Sequence, residues 1–289
     1  MVILGSGGAR IVVAKQLRAS GGIWFSLGGT RFLLDPGPGS LVRMTGSRHH
    51  LNPTELSGIL LSHRHLDHSG DVNNMIEAMT MGGTEPRGAL FAPSDALVGD
   101  DPVVLKYVRP FLERTVTIEE GGSYELGSVR FICPVRHQHR GEVYGFRFSV
   151  DRAQKSEVRV QNAEVRTSGQ PLDPSISRSL DPFLTISYIA DTRYFPELAE
   201  HYRADVLIMN VVRPQPSGLD HLHAPDAEEL VKAIRPKLAL LTHFGMRMLA
   251  AKPWVVAREM SERTGCKVVA AADGMLIDLE PLKATIPNS

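Results

Sequence analysis

Cysteine is nearly missing from this chain. Cys133 and Cys266 are the whole complement, far apart and each inside an apolar, strand-like run, which points to core packing rather than a disulfide. Net charge is missing too. Lys and Arg number 32, Asp and Glu number 32, so there is no basic field for nucleic acid and no acidic tail. No apolar run approaches the length of a membrane span. The opening Met1-Val2-Ile3-Leu4-Gly5 lacks the basic flank of a signal peptide. These absences predict a cytoplasmic protein with no membrane partner. No segment recurs at a fixed period, which excludes a repeat array. What is present is ordinary: 289 residues, 43% hydrophobic and 22% charged, enough chain to bury a large core.

One stretch is not ordinary. Leu60–Ser69 reads Leu-Leu-Ser-His-Arg-His-Leu-Asp-His-Ser, with His63, His65, Asp67 and His68 packed into it. The run Ile59-Leu60-Leu61 before them reads as a buried strand. After them, Val72, Met75, Ile76 and Met79 are spaced as on one helix face. In extended backbone His63 and His65 point to the same side. Asp67 and His68 then turn the opposite way at the mouth of the helix. One loop of this kind can feed two adjacent metals. Imidazole nitrogen and carboxylate oxygen suit zinc, with manganese or iron as alternatives. The competing reading is a polar surface loop that happens to hold three histidines; an Asp at the matching offset, directly after an apolar strand, weighs against it.

This loop resembles the His-x-His-x-Asp-His signature of the metallo-β-lactamase superfamily, and several later stretches resemble its ribonuclease Z and cyclic phosphodiesterase branch. The resemblance implies an α/β (α+β) fold, a four-layer αββα sandwich with one or two metals at the sheet edges. It covers nearly the whole chain, so residues 1–289 are expected to form one domain with a polar insertion at about 151–182. Asp35, in Asp35-Pro36-Gly37 after a predicted hairpin (Gly22–Leu27 and Arg31–Leu34), matches an Asp that hydrogen-bonds the metal loop; its plain alternative is a turn residue. The relatives also begin with a glycine turn beside the active site. Here that turn is Gly5-Ser6-Gly7-Gly8, which lacks both the dinucleotide and the P-loop spacing and reads as a tight turn rather than a phosphate cradle.

The remaining ligands come from the same resemblance. His139 stands six residues before Gly145-Phe146-Arg147, the offset of the branch's ligand histidine, and is preferred to His137. Asp191 closes the strand Thr185–Ala190 as a bridging carboxylate does, giving an oxygen to each metal. His243, in Leu241-Thr242-His243-Phe244, matches the last ligand. The first metal then takes His63, His65 and His139, and the second takes Asp67, His68 and His243, with Asp191 between them. His221 aligns with a histidine that acts near the scissile phosphate, while His223 stands where Ser or Thr is usual. His221 is therefore the expected acid, and His223 is expected to cap or pack against the helix that follows. Asp67 shares the catalytic assignment with His221.

Other segments carry less. Arg43–His50 reads as a polar, solvated loop that is in reach of an anion only as a second choice, Ala9–Gly22 as a loop lining the cleft, Val103–Leu112 as a helix up to Pro110, and Phe195–Tyr202 as a helix. Asp151–Asp181 carries five basic and five acidic residues and includes an alternating Val158-Arg159-Val160. Ribonuclease Z places its tRNA-gripping arm in this interval, and such an arm should be basic. A neutral one argues against a tRNA substrate.

The expected protein is thus a binuclear metal-dependent hydrolase, with zinc first and manganese or iron as alternatives. It would cleave a small or cyclic phosphodiester through a metal-bridging hydroxide. A small anionic molecule is the expected partner, structured RNA is disfavoured, and a homodimer is a family expectation. The same fold also hosts thioester and lactone hydrolases, tRNA 3′-processing endonucleases and non-enzymatic scaffolds.

Overall fold

The computed structural model describes residues 1–151 and 183–279. The polar insertion, with its Val158–Val160 alternation, lies outside them apart from Asp151. Among the described residues, fifteen strands form two mixed sheets. The first contains β1 (Val2–Ile3), β2 (Ile23–Leu27), β3 (Thr30–Leu34), β4 (Gly58–Leu60), β5 (Ala89–Pro93), β6 (Arg114–Ile118) and the closing β15 (Met275–Leu276), in the order β15-β1-β2-β3-β4-β5-β6. The second contains β7 (Ser123–Leu126), β8 (Val129–Ile132), β9 (Phe146–Asp151), β10 (Phe183–Ile189), β11 (Val206–Arg213), β12 (Leu222–His223), β13 (Leu238–Thr242) and β14 (Val268–Ala270). Its order is β14-β13-β11-β10-β9-β8-β7, with β12 beside β11. In each sheet one half is antiparallel and the other, β3 to β6 or β10, β11, β13 and β14, is parallel.

The period of two along each strand sorts the side chains into two cores. Phe25, Phe32, Leu34, Leu60 and Phe91 face the second sheet. Their neighbours Trp24, Leu33, Ile59 and Leu90 face the other way, onto the helix Val72–Met79. That helix buries Val72, Met75, Ile76 and Met79, the face its sequence predicts. A sheet covered on both faces needs near-continuous apolar strands, and the runs Phe32-Leu33-Leu34 and Ile59-Leu60-Leu61 supply them. The helices Ala224–Ile234 and Pro253–Thr264 join the larger core through Leu230, Val231, Ala257 and Met260. Both cysteines are buried and unpaired.

Several elements differ from expectation. Val103–Leu112 is not an α-helix; only the 3-10 turn Arg109–Phe111 forms. Val104 and Val108 are buried with helical spacing, yet the Val104 carbonyl accepts from the Arg109 side chain at 2.6 Å and Asn73 binds Val103 and Leu105. A short segment between two prolines cannot nucleate a helix against such competition. Ser40–Thr45 is a helix inside what reads as loop, because Met44 packs inward and Asp71 accepts the Leu41 N–H at 2.9 Å. Arg10–Ala14 is likewise helical. The helix near Phe195 shrinks to Leu198–His201.

Phe148 of β9 holds the two sheets together: its ring lies 5.6 Å from Phe25 and 5.3 Å from Phe32, which are themselves stacked at 4.8 Å. Phe148→Ala should cost about 3–5 kcal/mol in denaturant unfolding. A loss within about 1 kcal/mol would show that the sheets do not depend on this contact.

Candidate metal centre

The loops that leave the C-terminal ends of β4, β10 and β13 meet at one edge of the sandwich, the usual place for a site in parallel sheets. β4 feeds the His63–His68 turn. His65 is the N-cap of the short helix Leu66–Ser69, so Asp67 and His68 lie on a helix while His63 and His65 precede it. Asp191 follows β10 by two residues, and His243 directly follows β13 in left-handed backbone (φ 62°). His139 enters from the loop between β8 and β9.

The side chains gather into two groups. His63, His65, His139 and Asp191 form one, and Asp67, His68 and His243 the other; within each, the donor atoms lie within 4.8 Å of one another. His65 Nδ1 is 3.0 Å from His63 Nε2 and 3.3 Å from His139 Nε2. His243 Nε2 is 3.0 Å from His68 Nε2 and 3.3 Å from Asp67 Oδ2. Asp191 Oδ2 stands between the groups, 3.9 Å from His63 Nε2 and 3.5 Å from His68 Nε2.

Hydrogen-bond accounting fixes how the rings are protonated. Asp35 accepts from the Ser62 N–H and hydroxyl, both at 2.7 Å, from the Tyr188 hydroxyl at 2.8 Å, and from His68 Nδ1 at 3.0 Å. Since Ser62 donates to Asp35, its oxygen accepts from His63 Nδ1 at 3.0 Å. The Asp220 carbonyl accepts from His139 Nδ1 at 2.8 Å. Three rings therefore carry a proton on the outer nitrogen and turn Nε2 inward. Five ring nitrogens and two carboxylates converging at these distances form a donor set that cations can satisfy. Outer partners of this kind orient ligands in metal sites generally.

Charge leads to the same conclusion. Asp35 and Asp191 are buried, and no Lys or Arg pairs with Asp35, Asp67 or Asp191 among the described residues. Burial alone would raise the Asp191 carboxyl, but His243 and then His68 outweigh it and hold it well below the usual range. Burial likewise opposes, and His68 then His243 overcome it, at Asp67. Burial lowers His63, His65 and His139, which keeps them neutral, as ligands must be. At His68 burial opposes, but Asp191 and then Asp67 raise the ring well above its ordinary value, a proton that a cation at Nε2 would replace. The residues present fit divalent cations.

The glycine turn is explained by contact rather than by phosphate. A Cβ on Gly8 would lie 2.2 Å from the His243 ring. Gly8 donates to the Phe244 carbonyl at 3.2 Å, Phe244 donates to that of Ser6 at 2.9 Å, and Asp273 anchors the Ser6 N–H and hydroxyl at 2.9 and 2.7 Å. Of the two histidines weighed as ligand, only His139 reaches the cluster. His137 is buried with its Nε2 2.7 Å from the Tyr202 hydroxyl, and burial depresses its pKa to about 3. His221 Nε2 lies 3.2 Å from Asp191 Oδ2, and its ring is 4.8 Å from that of His139. His223 opens the helix Ala224–Ile234, where Asp226 accepts its N–H at 3.1 Å. Arg43, Arg48 and His49 line a separate cleft of about 410 Å³ with Leu4 and Gly274. A second cleft of about 410 Å³ opens beside His65, walled by Arg64, Leu66, Pro102 and Val103.

The sequence alone did not single out Ser62, Tyr188, Asn210 or Asp220. Asn210 leaves a trace there, a polar residue interrupting the apolar run Val206–Val212. Its buried amide donates to Asp191 Oδ1 at 2.9 Å.

The sequence model of the Beta-lactamase superfamily domain matches residues 30–244. The chain belongs to the metallo-β-lactamase superfamily. "Uncharacterized protein MJ1374" of Methanocaldococcus jannaschii is 27% identical over 286 residues, spanning 96% of this chain and 94% of that one. Among solved structures, the metallo-β-lactamase fold protein YhfI from Bacillus subtilis superposes with a TM-score of 0.67 at 18% identity, over 95% and 96% of the two chains. A diphosphatase from the PhnP family gives 0.61 at 19% identity, over 96% of each. Human tRNase Z, short form, gives 0.59 at 17%, over 96% and 97%. The two sheets and flanking helices of this superfamily fold, which serves metal-dependent hydrolases, are those of the expected αββα sandwich.

Two outcomes are expected. Gly8→Ala displaces His243, so metal retained after gel filtration in chelator, read by elemental analysis, should fall at least about tenfold; wild-type retention would refute the packing argument. His137 bears on acid stability. Its folded pKa of about 3 lies below its ordinary 6.5, so the unfolded chain binds the extra proton between them. Its contribution is complete above about pH 6.5 and is lost as pH falls towards 3. His137→Gln should therefore flatten unfolding free energy against pH by up to about 1.4 kcal/mol per pH unit in that window. Parallel curves for the two proteins would contradict this.

Proposed function

We propose that the chain is a metal-dependent phosphodiesterase acting on a small or cyclic phosphodiester. One observation carries the reading: a half-buried histidine that can hold a proton stands at the edge of the ligand cluster. Burial lowers the pKa of His221, but its hydrogen bond to Asp191 outweighs burial and raises it. The ring is 19% exposed, so it is reachable from solvent while held by Asp191. A departing alkoxide needs such a proton, and an imidazole that holds its proton more firmly than usual beside the ligand cluster is placed to give it.

The other residues divide the work. His63, His65, His139 and Asp191 would hold one cation, and Asp67, His68 and His243 a second. Zinc is the first choice for imidazole nitrogen and carboxylate oxygen, with manganese or iron as alternatives. Cations held there supply water activation and a sink for the negative charge of the transition state. Asp35 and Asp220 keep the rings in register for that task. Arg64 borders the cleft beside His65, where its guanidinium donates to the Asp101 carbonyl at 2.9 Å. The likeness to a PhnP-family diphosphatase supports phosphorus chemistry. The equal charge count of 151–181 favours a small diester over tRNA. No helix among the described residues is long and apolar enough to cross a membrane, and two unpaired buried thiols fit the cytoplasm.

Protein loaded with zinc or manganese should turn over bis-p-nitrophenyl phosphate. His221→Ala should lose roughly 100-fold or more in kcat on a diester with a poor alkoxide leaving group, and much less on the p-nitrophenyl ester, whose leaving group needs no acid. Cleavage of thioesters or lactones with no diester turnover by metallated protein would replace this reading with acyl hydrolysis.

A further inference from the structure

Asp191 has two oxygens in different surroundings. Oδ2 faces His63, His68 and His221 at 3.9, 3.5 and 3.2 Å. Oδ1 accepts from the Asn210 amide at 2.9 Å and stands 3.6 Å from His243 Nδ1, the ring nitrogen away from His68. We infer that Asn210 and Tyr188 are positioning residues that hold Oδ1 of Asp191 and so fix how its carboxylate is presented to the two ligand groups. This rests on the metal centre proposed above.

Proton accounting allows one arrangement of the chain. Tyr188 donates its only hydroxyl proton to Asp35 at 2.8 Å. Its oxygen must then accept the contact from Asn210 Nδ2 at 3.2 Å. The second proton of that amide goes to Asp191 Oδ1. Both amide protons are thus committed, and the amide cannot turn over without facing oxygen to oxygen. Asn210 and Tyr188 are buried, so water does not compete. The topology makes the link direct. β11, which carries Asn210, lies between β10, which ends two residues before Asp191, and β13, which ends just before His243. Asp35 also holds His68 at 3.0 Å. One unbroken path, Asp35–Tyr188–Asn210–Asp191, therefore joins a ligand of the second group to the carboxylate between the groups.

The test uses the full-length protein loaded with manganese. Wild type should show the spin-coupled spectrum of a bridged pair by electron paramagnetic resonance. Asn210→Leu keeps the shape and removes the donor. It should weaken metal retention against a chelator about 10–100-fold per folded molecule and lose or alter the coupled signal. Tyr188→Phe removes one oxygen and should shift both readouts the same way by less, and it decides the matter if Asn210→Leu does not fold. Wild-type coupling and affinity in both variants, or losses that follow only the unfolded fraction, would overturn the assignment. Wild-type protein that binds no metal at saturation would instead remove the metal centre on which it rests, a result distinct from variants that match a metal-loaded wild type.

Discussion

The molecule is constrained by a concentration of negative charge that no Lys or Arg among the described residues offsets. Asp35 and Asp191 are buried and Asp67 nearly so, with six imidazoles around them. Removing carboxylates from water costs several kcal/mol each unless they are paired. Here the available partners are ring N–H groups and hydroxyls, and the inward Nε2 atoms offer lone pairs instead. Cations would complete the set. The strand ends, the left-handed turn at His243 and the glycine at position 8 can all be understood as means of holding these groups together.

Division between inner and outer contacts makes the arrangement specific. Every ring whose outer nitrogen is bound has its inner nitrogen determined as a consequence. Ser62 does this for His63, Asp35 for His68, and a backbone carbonyl for His139. The last contact matters because Asp220 also pairs with Arg193 at 2.8 Å and precedes His221. The loop that orients a ligand therefore also places the proposed acid. Such an ion pair on the surface adds little stability, but it joins the Asp191–Arg193 turn to the His221 loop.

How much of this could be read in the sequence depended on distance along the chain. The His63–His68 turn was legible because its logic is local: two histidines in extended backbone, then two ligands on a helix start. The strands β2 to β4 and the buried face of Val72–Met79 were legible for the same reason, as a hairpin and a near-continuous apolar run, and as a spacing near four. Asp191 and His243 could be found only by resemblance, since a polar residue at a strand end is usually a turn. Asn210, Tyr188 and Gly8 act on residues brought close by folding; Tyr188 reaches Asp35 across 153 positions. Val103–Leu112 misled for the opposite reason. Its local pattern is helical, but Asn73 and Arg109 take the carbonyls and N–H groups a helix would use.

His221 and His223 show how packing separates residues that sequence leaves equivalent. They are two apart, both half-buried, and either could have been the acid. Backbone direction decides between them. β12 pairs with β11 in parallel, and the chain turns into a helix immediately after His223. His223 is thereby bound to Asp226 at the helix start. His221, still in the loop, is free to lie against Asp191. A histidine where relatives carry Ser or Thr can serve as an N-cap because the acceptor is supplied by Asp226 three residues on. The substitution therefore changes how the helix begins, and the group that faces Asp191 is left in place.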